Sequence, residues 1–281
     1  MAITAFKTFI SGEVLLASDL NSSFDTIINE VNVHGGEIDT INSSPKGRAK
    51  NMLINGDLNV WQRGTSFSGT SLTADRFRTE RSTTVVTTSR QAFTLAQTDV
   101  PDNPKYFQRF NVSLGAGASD YVRSEYELED VTKISGTGST NEFTLSFWAR
   151  ADTTENLALE FVQHFGTGGS PSSDTTGNEV TTFNLTGSWT KFTKTFNLPS
   201  VTGKTLGDNG DDSLKILFWM DAGSDFDART NSLGNQGGVF EMSNLQLESG
   251  SEATGFEYVT PAVQKAHAQQ YYNPAQGRKN R

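Results

Sequence analysis

The chain has no cysteine, only 3 histidines and 7 prolines among 281 residues, and no apolar run close to the length of a membrane span. Each absence removes a class of answers. Without cysteine there are no disulfides and no thiolate metal site, so stability outside a cell has to come from a large core or from partner subunits. Without roughly 18 consecutive apolar residues, membrane insertion is not expected. The opening MAITAFKTFISGEVLLAS carries one lysine and is interrupted by Glu13, which is not a secretory-signal pattern. A chain made in the cytoplasm and deployed by lysis or assembly fits. Positive charge is scarce as well. Lys and Arg number 23 against 32 Asp and Glu, a formal net charge of −9, and only Arg278, Lys279 and Arg281 form a basic tail. A nucleic-acid backbone is therefore not an expected partner.

Catalytic constellations are missing too. His34, His164 and His267 are far apart, and there is no GxSxG, P-loop or metal-ligand histidine spacing. Asp211/Asp212 and Asp225/Asp227 are paired carboxylates, but they sit among Gly and Ser, where acidic residues ordinarily solvate turns. The chain is not expected to be an enzyme.

What is present points to sheets. Phe reaches 19 and Gly 26, a composition that favours strands joined by turns. Strand-like segments are Met52–Trp61, Arg76–Arg78, Thr83–Phe93, Tyr106–Val112, Tyr121–Leu128 and Glu142–Ala151. They continue with Leu157–Phe165, Glu179–Leu185, Lys191–Leu198, Leu214–Met220 and Val239–Leu247. Phe143, Leu145 and Phe147 alternate with Thr144 and Ser146, the period of a half-buried antiparallel strand. With no internal repeat and turn-rich connections, the expected fold is mainly β: an antiparallel β-sandwich, or jelly roll. The Gly/Ser-rich loops 166–178 and 203–213 are candidates for a recognition tip.

Ahead of the sandwich, residues 1–17 are too short to fold alone and are expected to dock on something else. Ser18 is a good N-cap for a helix over 18–42. Leu20, Phe24, Ile27 and Val31 are spaced four, three and four apart, the seam of a coiled coil, and Ile38 and Ile41 continue the count. Gly35 and Gly36 interrupt it at a cost of about 2 kcal/mol, so a break is expected there. The narrow stripe favours a homo-oligomerisation segment over packing on the chain's own domain. Residues 43–50 (SSPKGRAK) read as a linker, 51–262 as the sandwich, and 263–281 as a tail.

Asn51–Phe77 reads NMLINGDLNVWQRGTSFSGTSLTADRF. It resembles the opening of a jelly-roll domain, similar to carbohydrate-binding modules, that recurs in bacteriophage tail fibres and other virion proteins. Later blocks agree in order: FTLSFWARAD at 143–152, GSWTKFTKTFNLP at 187–199, DDSLKILFWMDAG at 211–223 and FEMSNLQLESGSEATGFEYVTP at 240–261. The end, QKAHAQQYYN, is similar to the tail of those domains, with Ala268 and Gln270 in place of a usual Cys and Arg. The resemblance covers about residues 51–273. A shorter likeness, in FISGEVLLASDLNSSFDTI, is to fibre N-termini.

The resemblance implies a homotrimeric phage fibre protein resident in the virion. Residues 1–17 would meet other virion proteins, and the sandwich would bind a host-surface glycan. The competing implication is a purely structural head fibre, decoration protein or tail adaptor. Sugar recognition uses aromatic faces and polar neighbours, which nominates Trp61, Gln62, Arg63, Asp75, Arg76 and Trp189. A structural corner formed by Trp61, Asp75 and Arg76, with Arg76 paired to an acid, is the alternative for this group. Trp189 is alternatively a cap on the sandwich, and Trp148 and Trp219 are expected in the core. Domains of this kind often hold a structural calcium, for which Asn55, Asp57 and Glu248 are conceivable oxygen ligands. Ordinary turn polarity explains them equally, and no metal is assigned.

Overall fold

The computed structural model describes residues 50–136, 142–274 and 278–279. The attachment segment 1–17, the helix 18–42 with its seam from Leu20 to Ile41, and linker residues 43–49 lie outside the described residues. Two antiparallel sheets of six strands each face one another. In the first sheet the order is β1 (Ser66–Ser68), β4 (Val86–Ala92), β5 (Tyr106–Val112), β12 (Gly238–Ser249), β7 (Glu142–Ala151) and β10 (Thr190–Asn197). The second runs β2 (Ser71–Leu72), β3 (Phe77–Arg81), β6 (Tyr121–Glu129), β11 (Ser213–Ala222), β8 (Glu155–His164) and β9 (Thr175–Leu185). The chain is mainly β, and the two-sheet sandwich is consistent with a jelly roll.

Alternation explains the layers. Phe143, Leu145, Phe147 and Ala149 of β7 point into the space between the sheets, as do Ile216, Phe218 and Met220 of β11 and Phe240 and Met242 of β12, and all are buried. Rings meet edge-on or offset there: Phe147 lies 5.2 Å from Phe218 at 78°, and Phe161 lies 3.9 Å from Phe196. The alternate residues of the same strands face outward, and what covers them differs between the sheets.

The expected strand Met52–Trp61 is absent. Leu53, Leu58, Val60 and Trp61 are buried as a strand would require, but they enter from a looped plug. Asn55 and Leu58 have φ of 63° and 57°, and a left-handed residue cannot continue a pleat. Asn55 fixes the loop. Its side-chain amide donates to the carbonyls of Val60 (2.9 Å) and Asp75 (3.0 Å), its Oδ1 accepts from the Val60 amide (2.8 Å), and its own amide donates to Gln264 Oε1 (2.8 Å).

Three short helices also appear: α1 (Val131–Ser135), α2 (Asp227–Thr230) and α3 (Pro261–Gln269). The last falls mostly within the expected tail, yet Gln264 and Ala268 are buried on the sandwich. No described helix is long and apolar enough to cross a membrane.

Candidate functional site

Of the residues nominated from sequence, all but Trp189 converge, and their side chains are committed to one another or to nearby backbone. Trp61 is only 9% exposed; its indole N–H donates to the Leu58 carbonyl (2.7 Å), and its ring lies against Phe67. Arg63 Nη1 pairs with Asp75 Oδ1 at 2.5 Å, and the Gln62 amide donates to Asp75 Oδ2. Burial pushes the Asp75 carboxyl above its usual range, against the opposing pull of Gln62 and Arg63. The guanidinium of Arg63 sits 3.8 Å over the Tyr272 ring, and that of Arg76 sits 3.6 Å over Tyr271. Arg76 also donates to the Glu127 carbonyl rather than to an acid. Gln62 Nε2 reaches the Tyr272 carbonyl and Gln62 Oε1 accepts from Gln269. The group is a clasp joining the WQRG corner to the QYY segment.

The calcium candidates do not form a ligand set. Asn55 is occupied by backbone, Asp57 accepts from Asn59, and Glu248 accepts from the amide and hydroxyl of Thr254. Among the described residues no three His, Cys, Asp or Glu side chains converge where a metal ion could be held. The loops proposed as a tip bind each other: Thr167 donates through its amide (2.7 Å) and hydroxyl (2.5 Å) to Asp211, and Ser172 and Thr205 exchange bonds. Asp212 accepts from the Val131 amide at the start of α1.

Trp219 is fully buried, but not between the sheets. It belongs to a cluster on the outer face of the second sheet, beneath the 224–230 segment, because its register partner on β6 is the outward Arg123. Trp148 is half-buried on the outer face of the first sheet, beside the cluster of Val100, Phe107 and Trp189 with Phe93. Trp189 closes that cluster, 5.4 Å from Phe107 and 5.2 Å from Phe93.

Sequence reading missed the site beside this cluster. Strand register brings Arg109 of β5 and Arg150 of β7 to either side of Glu241 on β12. Arg109 Nε donates to Glu241 Oε1 (2.6 Å) and Arg150 Nε to Oε2 (2.5 Å). The carboxylate is 4% exposed, whereas the guanidinium side chains are 38% and 32% exposed. Glu241 thus anchors both arginines by their inner edges and leaves N–H groups facing outward. Neither guanidinium has another hydrogen-bond partner among the described residues. They line a cleft of about 360 Å³ together with Asp152, Gly187 and Val239. Trp189 flanks it, its ring 5.0 Å from the Arg150 guanidinium carbon. Asp152 Oδ1 accepts from the Val239 amide (2.9 Å). The arrangement can offer several fixed donors, one acceptor and an aromatic border to a polar ligand. The signal available in sequence was a charged residue set within each of three strands: Arg109 in YFQRFNV, Arg150 in EFTLSFWARA and Glu241 in GVFEMSNLQLES.

No family model matches the chain, and no curated protein matches it. Solved structures that match include a CBM4 module at 15% identity and TM-score 0.35, covering 72% of this chain and 100% of the module. A family 11 carbohydrate-binding module from Clostridium thermocellum, in complex with a β-1,3-1,4-mixed-linked tetrasaccharide, matches at 13% identity and TM-score 0.38, over 68% of this chain and 99% of that one. The enzymatically active domain of tailspike protein 4 of bacteriophage CBA120 matches at 12% identity and TM-score 0.38, over 71% of this chain but 21% of that one. Structural neighbours thus include carbohydrate-binding modules; at such TM-scores they carry no argument about what this chain does.

Proposed function

We infer that this chain is a non-catalytic virion protein that binds a glycan through the outer face of its first sheet. The observation that carries the reading is the cleft at Arg109, Glu241 and Arg150: outward guanidinium N–H groups, an acceptor at Asp152 and an indole at its edge. Donors held rigidly on strands, beside an apolar ring, are what a sugar's hydroxyls and C–H face require. The phage setting rests on the block-by-block resemblance of residues 51–273. In this reading residues 1–17 contact other virion proteins, the seam Leu20, Phe24, Ile27, Val31, Ile38 and Ile41 joins three copies, and the sandwich meets the host surface.

One observation favours the rival, a purely structural virion component. The aromatic and polar residues first nominated for sugar binding are used up in the clasp or, for Trp189, in the aromatic cluster. The deciding experiment is a glycan array with whole-cell binding, using the full chain and a form lacking residues 1–42. Saturable binding by the full chain that weakens in the shortened form, through lost multivalency, is the expected result. A folded, oligomeric sample that binds nothing would transfer the reading to the structural role.

A further inference from the structure

Resting on that reading, we propose that the cleft selects a sugar bearing a carboxylate, held between the outward edges of Arg109 and Arg150. The donors argue for it. Glu241 takes the Nε of each arginine and also the Nη2 of Arg109, so Arg150 presents both terminal nitrogens and Arg109 presents Nη1 with the outer N–H of Nη2. A guanidinium edge matches the two oxygens of a carboxylate, whereas a hydroxyl offers only one acceptor atom per contact. Two such edges, on the strands that flank β12, form a receptor for a planar anion.

The local charge agrees. Lys191, the register partner of Trp148 one row from the triad, is a third cation on this face, its Nζ donating to the Thr254 carbonyl (3.0 Å). Against these stand Glu241, already shared between the arginines, and Asp152, one of whose oxygens is capped by the Val239 amide. Asp152 Oδ2 would accept from a hydroxyl of the same sugar.

The test uses the full chain and matched pairs of oligosaccharides: galacturonate, glucuronate and mannuronate oligomers, each beside its carboxyl-reduced neutral counterpart. At least one acidic oligomer is expected to bind 10-fold or more tightly than its neutral partner, with the gap narrowing as salt rises. R109K and R150K keep the charge against Glu241 but remove the fork, and each is expected to close most of the gap with an unchanged melting profile. Equal binding of acidic and neutral members would overturn the proposal and leave glycan binding standing. Discrimination that survives both substitutions in folded protein would overturn it as well. No binding to any member, with a blank glycan array, would remove both the proposal and the reading beneath it.

Discussion

The two outer faces of the sandwich are built from the same three residue types and finished differently. On the second sheet Glu160 is fully buried and takes four donors: Arg229 Nε (2.8 Å), Arg229 Nη2 (2.9 Å), Trp219 Nε1 (3.1 Å) and the Gly177 amide (2.7 Å). The Arg229 that clamps it comes from α2, and Tyr121 packs edge-on against both Trp219 and Phe226, with Phe226 tilted at 40° to Trp219. On the first sheet, among the described residues, Glu241 has only arginine donors, each about a third exposed, and no helix covers the cleft. A glutamate, arginines and a tryptophan therefore make a staple in one place and an open receptor in the other. What separates them is cover: Arg229 sits in the helical segment over Glu160 and Trp219, whereas no described helix lies over Glu241.

That contrast can be broken experimentally. The largest effect is expected from E160Q, which leaves the Arg229 guanidinium against an uncharged partner inside a sealed cluster. It should cost about 3 kcal/mol in denaturant unfolding. The corresponding E241Q should cost about 1 kcal/mol, because Arg109 and Arg150 can turn to water. Equal losses would mean that the two faces are energetically alike and the contrast is only one of appearance. Loosening the clasp with Y271A should also cost about 1 kcal/mol, removing one guanidinium–ring contact and the weak bond from its hydroxyl to Glu129. It should leave ligand binding at the cleft intact; a loss of binding would tie the clasp to function.

The smallest effect concerns acid. Asp120 is held at about 2, below the usual 3.8, first by the Thr83 hydroxyl and then by the amides of Ala116 and Gly117. Because the folded value is the lower one, its contribution is complete above about pH 4 and fades as pH falls towards 2. T83A should move this titration upward and start the acid loss at higher pH, followed by unfolding curves between pH 5 and 2. An unshifted titration would show that the two amides alone hold the carboxylate.

Much of the sandwich was legible because most strands bury one face. Tyr106–Val112 and Glu142–Ala151 coincide with observed strands; alternation is clear in FTLSFWARA, whereas YFQRFNV is an aromatic-rich run that puts Phe110 in the core and Phe107 on the outer face. Met52–Trp61 misled for a physical reason: its apolar residues are buried, but a side-chain amide at Asn55 replaces ladder partners and bends the chain. Helix α3 gave no apolar stripe because its buried residues are a glutamine and an alanine. The cleft was less legible still. Arg109 and Arg150 lie 132 and 91 residues from Glu241, and only the register of three strands makes them neighbours. The nominated group was found as a spatial cluster, but sequence could not reveal that its tyrosine partners arrive from residues 271 and 272.

Those late arrivals bear on how the protein is made. The Asn51 amide donates to Glu257, the Asn55 amide waits for Gln264, and Gln62 reaches the carbonyl of Tyr272, contacts that span 206, 209 and 210 residues. A ribosome that has produced the WQRG corner must translate nearly the whole sandwich before any of these partners exists. Folding of this unit therefore closes after synthesis rather than along with it, and contacts so remote in sequence make that closure slow. A chain stopped before residue 257 would keep Asn51, Asn55 and Gln62 without these partners. Completion of this fold waits for translation past residue 272.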